Sequence, residues 1–339
     1  MLRERERELA AVDVLLECRG EVLVVEGGAG IGKTSLVEAA CSRAVRLGHE
    51  VVRARGSELE AGFAFGVVRQ LFERRLIAAG AGERDALLTG PAGAVWPLLS
   101  GEVAPEHEGG SLFAVLHGLY WLVANMAADR PVLIAVDDAH WADEPSLRWL
   151  AYLAPRLGGL AAGLLVASRP DDPAVMAPAL VAVRAAAAGV LRPALLSEDA
   201  VTAVVRAAAP ETSNELCAAL YTACGGNPLY LTELLRAARR DRRSLARLAP
   251  GELLAGGLEE IALGVIARVG GLGLEALNLA QAIAVLGDGC ELRHAARIAG
   301  LEIASAARLA EVLVRAEVLA PGERQRFAHP VLRAAGPVV

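Results

Sequence analysis

Gly27-Gly28-Ala29-Gly30-Ile31-Gly32-Lys33-Thr34 sets glycine, lysine and a hydroxyl residue at the spacing G-x-x-x-x-G-K-[ST]. Small residues let successive backbone N–H groups turn inward as an anion nest. A helix starting near Lys33 aims its positive end at the same point. Lys33 would neutralise the outer phosphates of a nucleotide, and Thr34 would offer its hydroxyl to Mg²⁺. Of the 34 Lys plus Arg residues, only Lys33 is a lysine. A compact ammonium on a flexible stem reaches between phosphates where a planar guanidinium does not fit. These residues predict a P-loop that binds ATP or ADP with Mg²⁺. Its nucleotide-binding set is Gly27, Gly28, Gly30, Ile31, Gly32, Lys33, Thr34 and Ser35.

Val132-Leu133-Ile134-Ala135-Val136 is an apolar run closed by Asp137 and Asp138. It has the form of a Walker B strand. A strand next to the P-loop strand would bring its terminal acids to the edge where open α/β sheets bind ligands. Asp137 is then the expected Mg²⁺ partner, through water, alongside Thr34. Asp138 is the expected group to orient or deprotonate the attacking water. Arg169 closes the run Leu164-Leu165-Val166-Ala167-Ser168 and is placed to sense a γ-phosphate. Lys33, Asp138 and Arg169 form the candidate catalytic set.

Elements that alternate in period must position these groups. Val22–Val25, Val51–Val52, Pro131–Val136 and Leu164–Ala167 read as strands. Residues 9–17, Thr34–Leu47, 63–77, Ser111–Ala127 and Pro145–Leu157 read as helices. Gly48 is a C-cap candidate. This order predicts a mostly parallel sheet covered on both faces. Residues 80–110, rich in Gly, Pro and acid, read as irregular. Beyond about 195 the strand signal fades. Ser197 opens a helix, and two more flank Gly225-Gly226-Asn227-Pro228. A hairpin is expected from Val318 to Phe327 around Pro321-Gly322.

Composition narrows the function classes. At about 150 residues per domain, 339 residues suggest two or three domains, with boundaries near 195 and 250. The chain is 54% hydrophobic and 22% charged, enough for a real core. An aromatic content of 4% leaves little for base stacking, and a net charge of −6 draws the chain to neither nucleic acid nor anionic membrane. The five cysteines form no Cys-x-x-Cys pair and read as reduced thiols of a cytoplasmic protein. The six histidines lack metal-ligand spacing. Leu157–Ser168 is apolar but too short to span a bilayer. The run Arg236–Arg247 holds six arginines and is the one basic candidate patch.

In this arrangement the motifs resemble the nucleotide-binding module of STAND-type signalling ATPases, in particular that of the large LuxR-type (MalT-like) transcriptional regulators of actinobacteria. Glu4-Arg5-Glu6-Arg7-Glu8-Leu9 is similar to that family's N-terminal motif, with Glu4 where glycine is usual. Val136-Asp137-Asp138-Ala139-His140-Trp141-Ala142-Asp143 matches its extended Walker B segment, and Ser168-Arg169-Pro170 its sensor strand. Gly225-Gly226-Asn227-Pro228 resembles its Gly-x-Pro turn, and Phe327-Ala328-His329-Pro330 its winged-helix segment. The resemblance implies nucleotide contacts from Arg5, from Pro228 on adenine and from His329 on the β-phosphate of ADP. It implies an α/β P-loop NTPase fold, a three-layer parallel sheet of the AAA-like ASCE type. An all-α lid and a winged-helix-like domain would follow. The expected domains are 1–195, 196–250 and 251–339.

The favoured expectation is an ATP/ADP switch with slow hydrolysis, self-associating on activation, working in the cytoplasm without a membrane. DNA would be reached only through an output domain absent from this chain. The chain would then be an excised piece of a longer protein or a naturally short relative. The alternatives are an origin-recognition-like ATPase, a DNA-binding winged-helix protein and, last, a small-molecule P-loop kinase.

Overall fold

The computed structural model describes residues 2–101, 112–169, 177–240, 269, 272–316 and 318–327. Its N-terminal half is a five-stranded sheet: β1 (Val22–Glu26), β2 (Glu50–Arg55), β3 (Val132–Asp137), β4 (Ala162–Ser168) and β5 (Gly189–Leu191). Every residue of β1, β3 and β4 is buried. Strands covered on both faces must be apolar throughout, so these three were legible as continuous runs.

All strand pairs in this sheet are parallel, in the order β2-β3-β4-β1-β5. This corrects one expectation. The strand ending in Asp137 is not beside the P-loop strand, because β4 lies between them. Parallel strands are joined by crossovers, and sequence alone does not say which slot a returning strand takes.

Side chains alternate between two packed layers. Leu23, Val25, Leu133, Ala135, Leu165 and Ala167 face α1 (Glu6–Glu17) and α2 (Lys33–Arg46). Val22, Val24, Ile134, Val136, Leu164 and Val166 face α3 (Gly66–Ala78) and the helices that follow it. On that second side Phe72 meets Trp149 edge-on, with ring centroids 5.5 Å apart.

Residues 80–101 depart from the expected irregular chain. They form α4 (Ala81–Leu87), a 3-10 turn (Gly90–Val95) and α5 (Trp96–Ser100). Pro91 and Pro97 occupy first-turn positions, and Gly101 ends α5 in the left-handed region. There these residues delimit short helices rather than break them. α6 (Leu112–Asp129) is long and apolar enough to cross a membrane by length and composition. In the fold Val115, Leu119, Leu122, Val123 and Met126 bury that apolar character against the sheet. α7 (Glu144–Leu153) follows β3. α8 (Pro178–Ala185) and β5 were not anticipated, since eight Ala-rich residues and a three-residue strand carry too little periodicity.

Six further helices follow among the described residues: α9 (Glu198–Ala208), α10 (Asn214–Cys224), α11 (Pro228–Arg240), α12 (Leu274–Leu286), α13 (Leu292–Ile298) and α14 (Ile303–Arg315). Ser197 caps α9 by accepting from the Ala200 N–H, and Ser213 caps α10 from the Leu216 N–H. Side chains from Leu196 to Leu235 and from Ala276 to Phe327 share one apolar cluster. Leu319 bridges Phe327 antiparallel, as the hairpin reading required, while β7 (Arg324–Gln325) pairs with β6 (Cys290–Glu291). His329, Pro170 and the part of the basic run beyond Arg240 lie outside the described residues.

Candidate nucleotide site

The site forms where β1 ends and α2 begins. Gly32 precedes α2 at φ 99°, and Gly30 stands at φ 77°, both in the region that favours glycine. Lys33 is 6% exposed, and its Nζ donates to the carbonyls of Gly27 (2.6 Å) and Gly28 (2.9 Å). Thr34 Oγ1 donates to Asp137 Oδ2 at 2.8 Å. Asp137 is fully buried, and its Oδ1 accepts the Asp138 N–H at 3.0 Å. The strand between β1 and β3 therefore does not separate the two motifs. The crossing distance is closed by the side chains of Thr34 and Asp137.

Asp138 sits at φ 47°, in the left-handed region. Arg55, the last residue of β2, donates to Asp138 Oδ2 through Nε (2.9 Å) and Nη2 (2.7 Å). This pairing raises the Arg55 pKa. Sequence reasoning missed Arg55. Its signal was position, since it ends a strand at the ligand-binding edge of the sheet. Gly56 follows with no room for a side chain: a Cβ there would meet the Asp138 carbonyl at 2.3 Å.

Arg169 follows β4 directly and lines a cavity of about 400 Å³ with Lys33, Thr34, Arg55, Asp138 and Pro228. Its buried Nε has no hydrogen-bond partner among the described residues. Among the described residues the two ring nitrogens of His140 are likewise buried without a hydrogen-bond partner. Burial, with help from Arg169 and Lys33 and against Asp138, pushes the His140 pKa down to about 4. His140 is thus a neutral imidazole beside two cations. It lies in the segment 136–143, where no spacing in the sequence marks it for a role. Asp143 in the same segment is structural. It accepts from the N–H groups of Phe65 (2.7 Å), Val67 (3.1 Å) and Ser146 (2.9 Å), fixing the starts of α3 and α7.

Helical residues close the opposite wall. A second cavity of about 210 Å³ is lined by Arg5, Ile31, Gly32, Ser35, Leu196 and Pro228, among others. Arg5 is 3% exposed; its Nη2 donates to Ala194 O (2.7 Å) and Ile31 O (3.2 Å). Glu4, at φ 52° in the region that favours glycine, accepts from the Ser197 N–H (2.9 Å) and from its hydroxyl. These bonds lower the Glu4 pKa. Asn227, 2% exposed and unassigned at the sequence level, donates to Ala29 O at 3.1 Å.

Residues 2–167 match the family model described as the AAA ATPase domain. This segment is similar to an AAA ATPase domain. The whole chain is similar in fold to a Walker-type ATPase of Pyrococcus abyssi. That match has 14% identity, a TM-score of 0.59, and coverage of 99% of this chain and 96% of that one. It is similar to the ORC1 protein of Aeropyrum pernix, solved in complex with DNA (14%, TM-score 0.57, coverage 99% and 92%). Cdc6p of Pyrobaculum aerophilum is a third (15%, TM-score 0.53, coverage 99% and 94%). At such identities these likenesses concern the fold. No curated protein compared with the chain matches it significantly.

The residues of this site fit a Mg²⁺–nucleotide. A Cβ on Gly27 would lie 2.7 Å from Ile31 Cγ2, so the nest is built for bare backbone. Thr34 and Asp137 supply hard oxygen donors of the kind Mg²⁺ takes. Among the described residues no group of three or more His, Cys, Asp or Glu gathers for another metal. Bound Mg²⁺ would neutralise charge developing on the outer phosphates.

Proposed function

We propose that the chain is an ATP/ADP-binding switch with slow ATP hydrolysis, the regulatory module of a signal-responsive transcriptional regulator. One observation carries this reading. Both cavities at the P-loop have one wall from the sheet-bearing segment and the other from α11 and its turn. A nucleotide held there touches both bodies, so its affinity and their closure are linked. Domains 1–195, 196–250 and 251–339 would move as the parts of that switch in the cytoplasm, with self-association in the ATP state. Arg5 and Pro228 flank the proposed base pocket, and His329 is proposed to reach the β-phosphate. Lys33 and Arg169 would hold the outer phosphates, while Asp138 would orient or deprotonate the attacking water.

The deciding test is to denature freshly purified protein and identify the released nucleotide, with Lys33→Ala as control. Stoichiometric ADP from the wild type and none from the variant is expected. An empty wild type that turns over ATP at about 10 s⁻¹, an ordinary enzymatic rate, would overturn the switch.

A second reading is an origin-recognition-like DNA-binding ATPase. The ORC1 structure was solved with DNA, and the likeness extends over 99% of this chain. Charge weighs against it: residues 255–339 hold eight Arg against nine Asp plus Glu, a net of −1. DNA-binding surfaces carry a basic face.

A further inference from the structure

Three consecutive P-loop carbonyls are held from outside the loop. Ala29 O accepts from Asn227 Nδ2 at 3.1 Å, Gly30 O from the Leu229 N–H at 3.2 Å, and Ile31 O from Arg5 Nη2 at 3.2 Å. No peptide bond among the described residues is cis. In a trans peptide the N–H of the next residue points opposite to the carbonyl. The carbonyls of Ala29 and Gly30, drawn toward the helical wall, turn the N–H groups of Gly30 and Ile31 away from it, the latter onto Gly28 O at 3.5 Å, and Arg5 turns that of Gly32 from the N-terminal segment. Gly30, Gly32, Lys33 and Thr34 all line the larger cavity, which α11 closes with Pro228, Leu229 and Thr232.

The fit is close. A Cβ on Gly30 would stand 2.6 Å from Leu229 Cβ and 2.7 Å from Asn227 Oδ1. Asn227 is also fixed from its own side, because Oδ1 accepts the Leu229 N–H at 2.9 Å and so caps α11. Its amide is spent at both ends: the oxygen starts the helix and the nitrogen aims the loop. The turn itself is tied to the linker by the Leu196 N–H, which donates to Gly226 O at 2.8 Å.

We propose that Asn227 is a positioning residue that preorganises the phosphate nest. The docked helical wall orients the loop's N–H groups before any phosphate arrives, and phosphate in the nest in turn holds the wall docked. The effect acts on phosphate, not on the base. It rests on the nucleotide-switch reading above and gives that switch its linkage.

The test uses the full chain and two probes, ADP and adenosine, the latter lacking phosphate. Asn227→Ser and Asn227→Asp both keep an oxygen to cap α11. The first is too short to reach Ala29 O, and the second cannot donate. Each should weaken ADP about tenfold by calorimetry, the scale of one hydrogen bond made in an ordered site. Adenosine affinity should stay put, while the loss of a buried hydrogen bond lowers the nucleotide-free melting temperature of both variants. Asn227→Gln, which keeps the amide, should recover part of the ADP affinity. Unchanged ADP affinity, or equal losses for ADP and adenosine, would overturn the inference and leave the switch standing. A wild type that binds neither probe would remove the switch itself.

Discussion

The local chemistry turns on two residues that neighbour the expected ones. Asp138 shares its carboxylate with Arg55. That carboxylate oxygen already accepts two guanidinium N–H groups and is not free to take up water. If Asp138 handles the attacking water, Arg55→Ala should raise kcat about 3- to 10-fold with ADP affinity unchanged. A fall in kcat would mean that Arg55 acts on the phosphates itself. His140 gives a pH prediction. Its pKa is about 4 in the fold against 6.5 in the unfolded chain. Between those values the unfolded state binds more protons, so stability falls as pH drops from 6.5 toward 4 and is kept above 6.5. His49 shifts in the same direction through burial. His140→Gln should flatten the acid-side decline in melting temperature; a slope equal to the wild type would refute this assignment.

At the scale of elements, backbone approach controls the site. β2 passes so close to the turn after β3 that Gly56 faces the Asp138 carbonyl and the Ala142 N–H. Neither is the flexible end of a side chain. Gly56→Ala should cost about 1–3 kcal/mol of stability, the usual scale of overpacking. It should also disturb the Arg55–Asp138 pair. Urea unfolding with kcat measured beside it would check both, and a neutral variant would mean that the turn has slack. The same element explains what sequence reading lost. Val51–Val52 was visible as a strand, but nothing in six residues said that its last side chain would turn toward Asp138. α8 and β5 were lost because short Ala-rich segments support helix and strand alike. Conversely β1, β3 and β4 were plain, since full burial leaves an uninterrupted apolar signature.

For the whole molecule, charge and connectivity set the limits. With a net charge of −6 the chain should bind duplex DNA weakly and without sequence preference at physiological salt. Tight binding with a steep salt dependence would favour the origin-recognition-like reading instead. By itself the sequence determined the P-loop, the acidic strand end and the alternation of strand and helix. Those features are local: a turn that needs glycine, a cradle that needs one lysine, a strand that needs apolar residues throughout. Tertiary structure alone decided the rest. It inserted β4 between β1 and β3 and still joined Thr34 to Asp137. It brought Arg55 to Asp138 across 83 residues, and Asn227 to Ala29 across 198. Contacts at such separations depend on strand order and on how the helical wall docks. Neither leaves a period or a spacing in the chain.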